Sequence, residues 1–430
     1  MTSRSILLAA AIGALATPGL GQERLSVIAI PPLATPNNKE TGAGSPAAVA
    51  WEASKLIAAD LRTTAELVPV GPNQKDFYSY PEVTAPSFSR WRSSAKYLLT
   101  GFVRSQPDGR FAVGCYVYDV TSGREAGRTG FVVAPDEWRR AAHKCSGLAY
   151  TAATGAPGTF DTKIAYVAET GAGEARVKRV ALMDSDGDGH SYVTSGDTTV
   201  LSPRLSPKAD RLAYVSFVAG KPHVMIADLA TGRSLPLVAG EVMTFAPRFS
   251  PDGRRVIFSM QSGANTDIYI SDATGGIPRR LTATPGTDTS PSFSPDGDRI
   301  LFESDRSGSQ QLYVMNPDGT GQRRISFGGG WYASPEWSPD GEWVAFVRRI
   351  PGGAMRIGVM KPDGTGERLL TAGPGDESPS WAASSRDLVF QRTDAAGRSQ
   401  LYRVALSGGE PRRVATPQAA SDPDWSSLLD

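Results

Sequence analysis

A chain of 430 residues is long enough for two domains with full hydrophobic cores, so neither a metal nor a disulfide is needed to hold it together. Lys and Arg number 45 against 44 Asp and Glu, and a net charge of +1 argues against the pervasive basic surface of a nucleic-acid or anionic-membrane binder. Partners are expected among proteins or small molecules. Gly (46) and Pro (32) fall between short apolar runs of β type, the signature of an all-β fold with many tight turns.

The N-terminus opens on Met1-Thr2-Ser3-Arg4, continues as an apolar run over residues 6–16 and ends on small residues at Gly19 and Gly21. A charged start and an apolar core too short for a bilayer predict a secretory signal over residues 1–21, cut after Gly21. An interfacial helix that stays attached is the alternative. No later segment is apolar for long enough to span a membrane, so an exported protein without direct membrane insertion is expected.

Residues 22–158 are expected to form a small α/β domain. A strand is predicted over 25–30, and Ser45-Pro46 supplies an N-cap followed by a first-turn proline. The helix starting there carries Val49, Ala53, Leu56, Ile57 and Leu61 on one face. A second helix is marked by Trp138, Ala141, Ala142, Cys145 and Leu148, with Asp136 and Glu137 in its first turn. Strands are predicted over 97–103, 111–120 and 128–133. The two cysteines, Cys115 and Cys145, form either one disulfide or two small buried thiols.

Residues 159–430 repeat. Pro203, Pro247, Pro291, Pro335, Pro379 and Pro423 each open a motif such as Pro-Arg-Phe-Ser or Pro-Glu-Trp-Ser, 44 residues apart every time. Turns such as Ser250-Pro251-Asp252-Gly253 follow, in which proline presets φ, aspartate bonds the local backbone and glycine tolerates the exit geometry. An apolar second strand, a third strand and a more polar fourth over 279–284, 323–327, 368–371 and 412–415 complete each unit. Four strands per period make one propeller blade, and six periods predict an all-β six-bladed β-propeller. The chain enters on a second strand near residue 164 and leaves on a first, so residues 422–427 are expected to supply the missing innermost strand of blade one and close the ring.

Asp184-Ser185-Asp186-Gly187-Asp188-Gly189 opens like a calcium loop, but its twelfth position is Ser195 rather than a bidentate glutamate. The segment aligns with Asn316-Pro317-Asp318-Gly319-Thr320-Gly321, so a turn between third and fourth strands is expected, with calcium as the alternative and otherwise no cofactor and no metal. No G-x-S-x-G occurs, and the N-terminal region is too small for a hydrolase domain. His143, His190 and His223 read as structural histidines. No catalytic residue is assigned.

The order of signal segment, α/β domain and propeller, together with Ala58-Ala59-Asp60-Leu61-Arg62, Trp138-Arg139-Arg140-Ala141-Ala142-His143, Phe160-Asp161-Thr162-Lys163-Ile164-Ala165-Tyr166-Val167 and Gln311-Leu312-Tyr313-Val314-Met315, resembles the TolB family of the periplasmic Tol-Pal system. The resemblance covers nearly the whole mature chain. It implies a monomeric, non-catalytic periplasmic adaptor that binds the lipoprotein Pal through the propeller and TolA through the N-terminal region, supporting outer-membrane integrity and envelope constriction at division. Cleavage after Gly21 leaves only Gln22, Glu23 and Arg24 before Leu25 as a TolA-binding arm, shorter than the family's usual one. TolA binding then runs through the first strand after rearrangement, or is weak or absent. The expected Pal face is the rim of loops entering the innermost strands: Met243, Thr244, Ala246, Asp288, Thr289, Trp331, Tyr332, Asp376 and Glu377, with family contacts falling on Met243, Ala246 and Thr289. The rival readings are a sugar- or peptide-binding propeller without a Tol role and a peptidase-associated propeller.

Overall fold

In the computed structural model, which describes residues 25–36, 45–64, 66–171 and 173–429, an α/β domain is followed by a six-bladed propeller. The signal segment and Gln22, Glu23 and Arg24 lie outside the described residues.

The first domain holds β1 (Ser26–Ala29), α1 (Pro46–Arg62), β2 (Leu67–Val70), β3 (Tyr97–Ser105), β4 (Phe111–Asp119), β5 (Glu125–Val133) and α2 (Trp138–Thr154). Ser45 takes the extended N-cap conformation and Pro46 the first helical position, although the serine hydroxyl makes no capping bond. Asp136 and Glu137 fall in a short 3-10 turn just ahead of α2 rather than inside it. The sheet order is β2-β1-β3-β4-β5, with β1 parallel to both its neighbours. Strand β2 is not among the predicted strands; it contains Pro69, and an edge strand is where a missing amide is tolerated. Leu56, Ile57 and Leu61 of α1 and Ala141, Ala142 and Cys145 of α2 bury against Ile28, Leu99, Val113 and Val117 of the sheet. Cys115 on β4 and Cys145 on α2 are joined by a disulfide across this core.

The propeller's six sheets have four strands each. Blade one takes its innermost strand, Ala419–Trp425, from the chain's end, pairing antiparallel with Lys163–Thr170. This closing strand starts three residues before the expected 422 and ends two before 427. The innermost strands of blades two to six are Val200–Leu205, Thr244–Phe249, Asp288–Phe293, Trp331–Trp337 and Asp376–Trp381. In the first turns, Asp252 accepts from Ser250 Oγ at 2.5 Å and from the Arg254 amide at 3.0 Å, and Gly253 sits at φ 68°. The fourth strands are only two residues long in blades three to six, shorter than expected. In three of these blades a hydroxyl ends the ladder: Thr282, Ser326 and Thr371 accept the amides of Ile268, Leu312 and Ile357 of the third strands at 2.9–3.0 Å.

The first domain sits at the end of the propeller that carries these turns. Arg386, in the first turn of blade six, bonds Tyr150 Oη at 2.7 Å and Glu66 at 3.0 Å, while Arg140 and Lys144 of α2 reach Asp161 at 3.2 and 3.7 Å. The loops entering the innermost strands lie at the opposite end, away from these domain contacts.

Candidate functional site

Each innermost strand carries one extra residue relative to its partner: Phe245 pairs with Ser259 and Arg248 with Ile257, and the same step recurs in every blade. The bulge puts the residue before each anchor proline into the left-handed region, at φ 48–51°: Ser202, Ala246, Ser290, Ser334, Ser378 and Asp422. None is glycine, and a residue before proline is normally extended, so the conformation is strained six times over. It is held from outside the strand. Ser202 N–H donates to Asp422 at 3.4 Å, Ser334 N–H to Glu303 at 3.1 Å and Asp422 N–H to Gln391 at 2.8 Å.

This geometry sorts the nine rim residues. Thr244, Asp288, Tyr332 and Asp376 occupy equivalent positions at the start of their strands and are all at most 1 % exposed, so they do not offer a partner their side chains, contrary to expectation. Thr244 Oγ1 accepts the Val224 amide of the preceding blade at 2.8 Å. Asp288 pairs with Arg306 at 2.8 Å, and Asp376 takes Arg392 bidentately at 2.6 and 2.9 Å. Tyr332 donates to Glu367 at 2.9 Å beneath Arg348, and burial with that carboxylate pushes its phenol up to about 12. In these four blades the position thus carries a buried anchor of the rim rather than a free side chain. Met243, Ala246, Trp331 and Glu377 remain partly open, and Thr289 is 9 % exposed with its hydroxyl 3.0 Å from Ser259 Oγ. Trp331 is steadied by a bond from its indole N–H to Gln310 Oε1. Burial raises the Glu377 carboxyl.

At the other end of the channel, the residue after each anchor proline points inward. Arg248 bonds Asp424 at 3.0 Å and Glu336 at 2.5 Å, and Arg204 stands 3.8 Å from Asp424. Two cations and two acids, all largely shielded from solvent, cancel, which is the arrangement that burial of charge requires. Burial raises the Asp424 carboxyl and lowers the Arg204 guanidinium. A cavity of about 370 Å³ lies here, lined by this network and by Phe249, Trp337, Trp381 and Trp425. The anchor repeat located these positions in the sequence, but nothing in it showed that the charges complement one another across the channel.

The acidic turn that opens like a calcium loop joins the third strand, Val177–Asp184, to the fourth, Ser191–Tyr192. All three of its acids face Arg139 of α2: Asp184 at 3.3 Å, Asp186 at 2.6 Å and Asp188 at 3.0 Å, with Lys163 also on Asp184 at 2.9 Å. Beneath Arg139, His143 Nδ1 lies 2.8 Å from Asp60 Oδ2, and Ser146 Oγ donates to the same oxygen at 2.6 Å. Serine, histidine and aspartate meet, yet not as a nucleophilic triad: the serine bonds the acid rather than the imidazole, and it is fully buried. Asp60, His143 and Asp186 come within 4.8 Å of one another, a grouping that could hold a metal ion, with the Arg139 guanidinium already on Asp186. His190 Nδ1 lies 2.6 Å from Tyr166 Oη, a structural contact.

The family model described as the TolB beta propeller domain matches residues 150–429, and that of the TolB amino-terminal domain matches residues 21–126. A Tol-Pal system protein TolB of Zymomonas mobilis is 45% identical over 206 residues, 48% of this chain and 45% of that relative. One from Novosphingobium aromaticivorans, Tol-Pal system protein TolB 1, is 46% identical over 206 residues, 47% and 46% of the two chains. The match thus spans just under half the length of these curated relatives. Among solved structures, TolB from Acinetobacter baumannii superposes with a TM-score of 0.78 at 27% identity, covering 94% of this chain and 97% of that one.

Proposed function

The chain belongs to the TolB family, and from that premise we propose that it is a periplasmic adaptor of the Tol-Pal system, without catalytic activity, whose propeller mouth binds the folded lipoprotein Pal. The observation that carries this reading is the rim. Met243, Ala246, Thr289, Trp331 and Glu377 stand around the channel mouth at the end away from the first domain, so a folded partner meets them without displacing that domain. A mouth held by buried anchors such as Asp376–Arg392 is preformed, and a preformed site binds with little rearrangement.

Calorimetric titration of the soluble domain of Pal into the protein tests the reading. Met243→Glu combined with Trp331→Ala, both at partly exposed rim positions, should abolish measurable binding, with the melting temperature checking that the propeller stays folded. Unchanged affinity in that variant would place the interface elsewhere. Retention of a sugar or peptide by the protein, together with no Pal binding, would favour the rival ligand-binding propeller.

TolA is assigned to residues 22–25. Leu25 is 54% exposed, whereas β1 behind it is hydrogen-bonded on both edges, to β2 and to β3, and presents no free edge to a partner strand. A pull-down with the C-terminal domain of TolA should therefore fail once residues 22–25 are removed. Recovery of TolA by that truncated protein would move the contact to another surface.

A further inference from the structure

One buried acid behind the rim holds residues of two blades at once. Glu303 lies on the second strand of blade four, Ile300–Ser304, directly opposite Thr289 in the ladder, and is 5% exposed. Its Oε1 accepts the Ser290 hydroxyl at 2.8 Å, and its Oε2 accepts the Ser334 amide of blade five at 3.1 Å. Ser290 and Ser334 are the strained left-handed residues of two neighbouring innermost strands. One directly follows Thr289, and the other lies two residues beyond Tyr332 and three beyond Trp331. A single carboxylate therefore clamps the two blades at the point where both strands leave the rim.

We propose that Glu303 is the positioning residue of the partner face, fixing the relative placement of Thr289 and Trp331 and thereby setting the affinity for the folded partner that docks there. This rests on the reading of the rim as the Pal face. The other blades sharpen the assignment. The ladder position of Glu303 is filled elsewhere by Val167, Val215, Ser259, Val347 and Gln391, none of which titrates. Gln391 makes the corresponding inter-blade bond, to the Asp422 amide at 2.8 Å, but its Nε2 is turned to Glu377, so an amide accepts only one of the two bonds that Glu303 accepts.

The clamp is sensitive to pH. Both partners of Glu303 are neutral donors, and no cation pairs with it among the described residues. The charged groups on the elements packed against it are already engaged: Asp288 with Arg306, Glu336 with Arg248, Arg348 with Glu367 and Asp267 with Arg280. Burial without a counter-charge pushes the carboxyl up to about 7. The ionised form accepts two hydrogen bonds and holds both strands. Protonation turns the oxygen facing Ser290 into a donor, so that hydroxyl must reverse, and the charge-assisted hold on both serines weakens even though the neutral carboxyl is less costly to bury.

The experiment is titration of the soluble domain of Pal into the intact protein and into Glu303→Gln, from about pH 5.5 to about pH 8.5. Wild-type affinity should rise through neutrality, by up to about tenfold if docking lowers the proton affinity of the carboxyl tenfold. Glu303→Gln should bind with a flat profile at the low-pH level. Equal slopes in the two proteins would overturn the inference while leaving the rim reading intact. Absence of binding in both at every pH would overturn the rim reading and the inference with it. Melting provides a check that needs no partner. A carboxyl raised from 4.5 to about 7 favours the fold below pH 4.5, and that contribution is lost as pH rises through 7. Glu303→Gln should therefore melt above the wild type at alkaline pH, with the gap closing on acidification, whereas a constant gap would contradict the buried carboxyl.

Discussion

Arg248 on the innermost strand of blade three reaches Asp424 on the closing strand of blade one, Nη1 to Oδ1 at 3.0 Å across the channel. The chain's end is thus tied to the ring by charge as well as by the ladder. Asp424 also accepts the Leu205 amide at 2.7 Å, so it links blades one, two and three. Asp424→Ala should leave Arg204 and Arg248 with Glu336 alone and cost about 3–5 kcal/mol, the penalty of an uncompensated buried charge. Arg248→Met with Asp424→Leu should cost less than the sum of the single changes. Urea unfolding of the three variants measures this, and a loss below about 1 kcal/mol for Asp424→Ala would show that the network is not buried in solution.

Closure by the last strand makes a separate prediction. Ala419–Trp425 pairs with Lys163–Thr170, and Trp425 donates its indole N–H to Thr162 at 2.9 Å. Removing residues 419–430 should expose the inner edge of blade one and abolish the cooperative propeller transition in calorimetry. Amide exchange over 163–170 should rise to the rate of an unpaired strand. Full protection there in the truncated protein would mean that another segment closes the ring.

Arg139 holds three carboxylates of the turn after Asp184, and this bears on calcium. With Lys163 on the first of them, the acids already have cationic partners that a bound ion would have to displace. Added calcium, or its removal by a chelator, should leave the melting temperature unchanged, while Arg139→Ala should cost about 1–3 kcal/mol through its orphaned partners. A rise in melting temperature with calcium would assign the ion to this turn.

Much of this fold is legible because it repeats. The 44-residue step located all six innermost strands through their prolines, and the offset between entering and leaving strands predicted the closure that Ala419–Trp425 makes. What stayed hidden depends on contacts between distant segments. Thr244, Asp288, Tyr332 and Asp376 read as rim residues because sequence position places them at the loop, yet their side chains are taken up by Val224, Arg306, Glu367 and Arg392, partners that the repeat does not reveal. The left-handed residues before the prolines contradict the local preference for extended backbone, so only tertiary bonds such as Ser334 to Glu303 account for them. Strand β2, absent from the predicted strands, contains Pro69, which an edge position accommodates. The partnership of Arg139 with Asp184, Asp186 and Asp188 joins segments from two domains that periodicity treats separately.

The junction between the two domains carries a pH-sensitive pair. His143 is 2% exposed, with Nδ1 on Asp60 of α1 and Nε2 facing Asp186 of the propeller turn at 3.9 Å. Burial alone would lower its proton affinity, but the hydrogen bond and charge of Asp60, with Asp186 and Asp184 behind it, outweigh burial and raise the imidazole above 6.5. Burial also raises the Asp60 carboxyl, so the pair holds its proton jointly. Arg139, on the same face, already occupies Asp186 and moderates that attraction. A group whose folded value is raised stabilises fully below its unfolded pKa of 6.5 and loses that contribution as pH rises through the folded value. His143→Asn keeps a donor for Asp60 but no titrating ring. The wild type should exceed this variant in stability by more at about pH 5.5 than at about pH 8.5, with the gap narrowing between them. Protonation should also tighten the contact with the propeller, since His143 Nε2 then donates toward Asp186. Limited proteolysis of the turn at 184–189 should consequently slow on acidification in the wild type and not in His143→Asn. A stability gap that is independent of pH, or that widens toward alkaline pH, would mean that the imidazole stays neutral and serves only as packing.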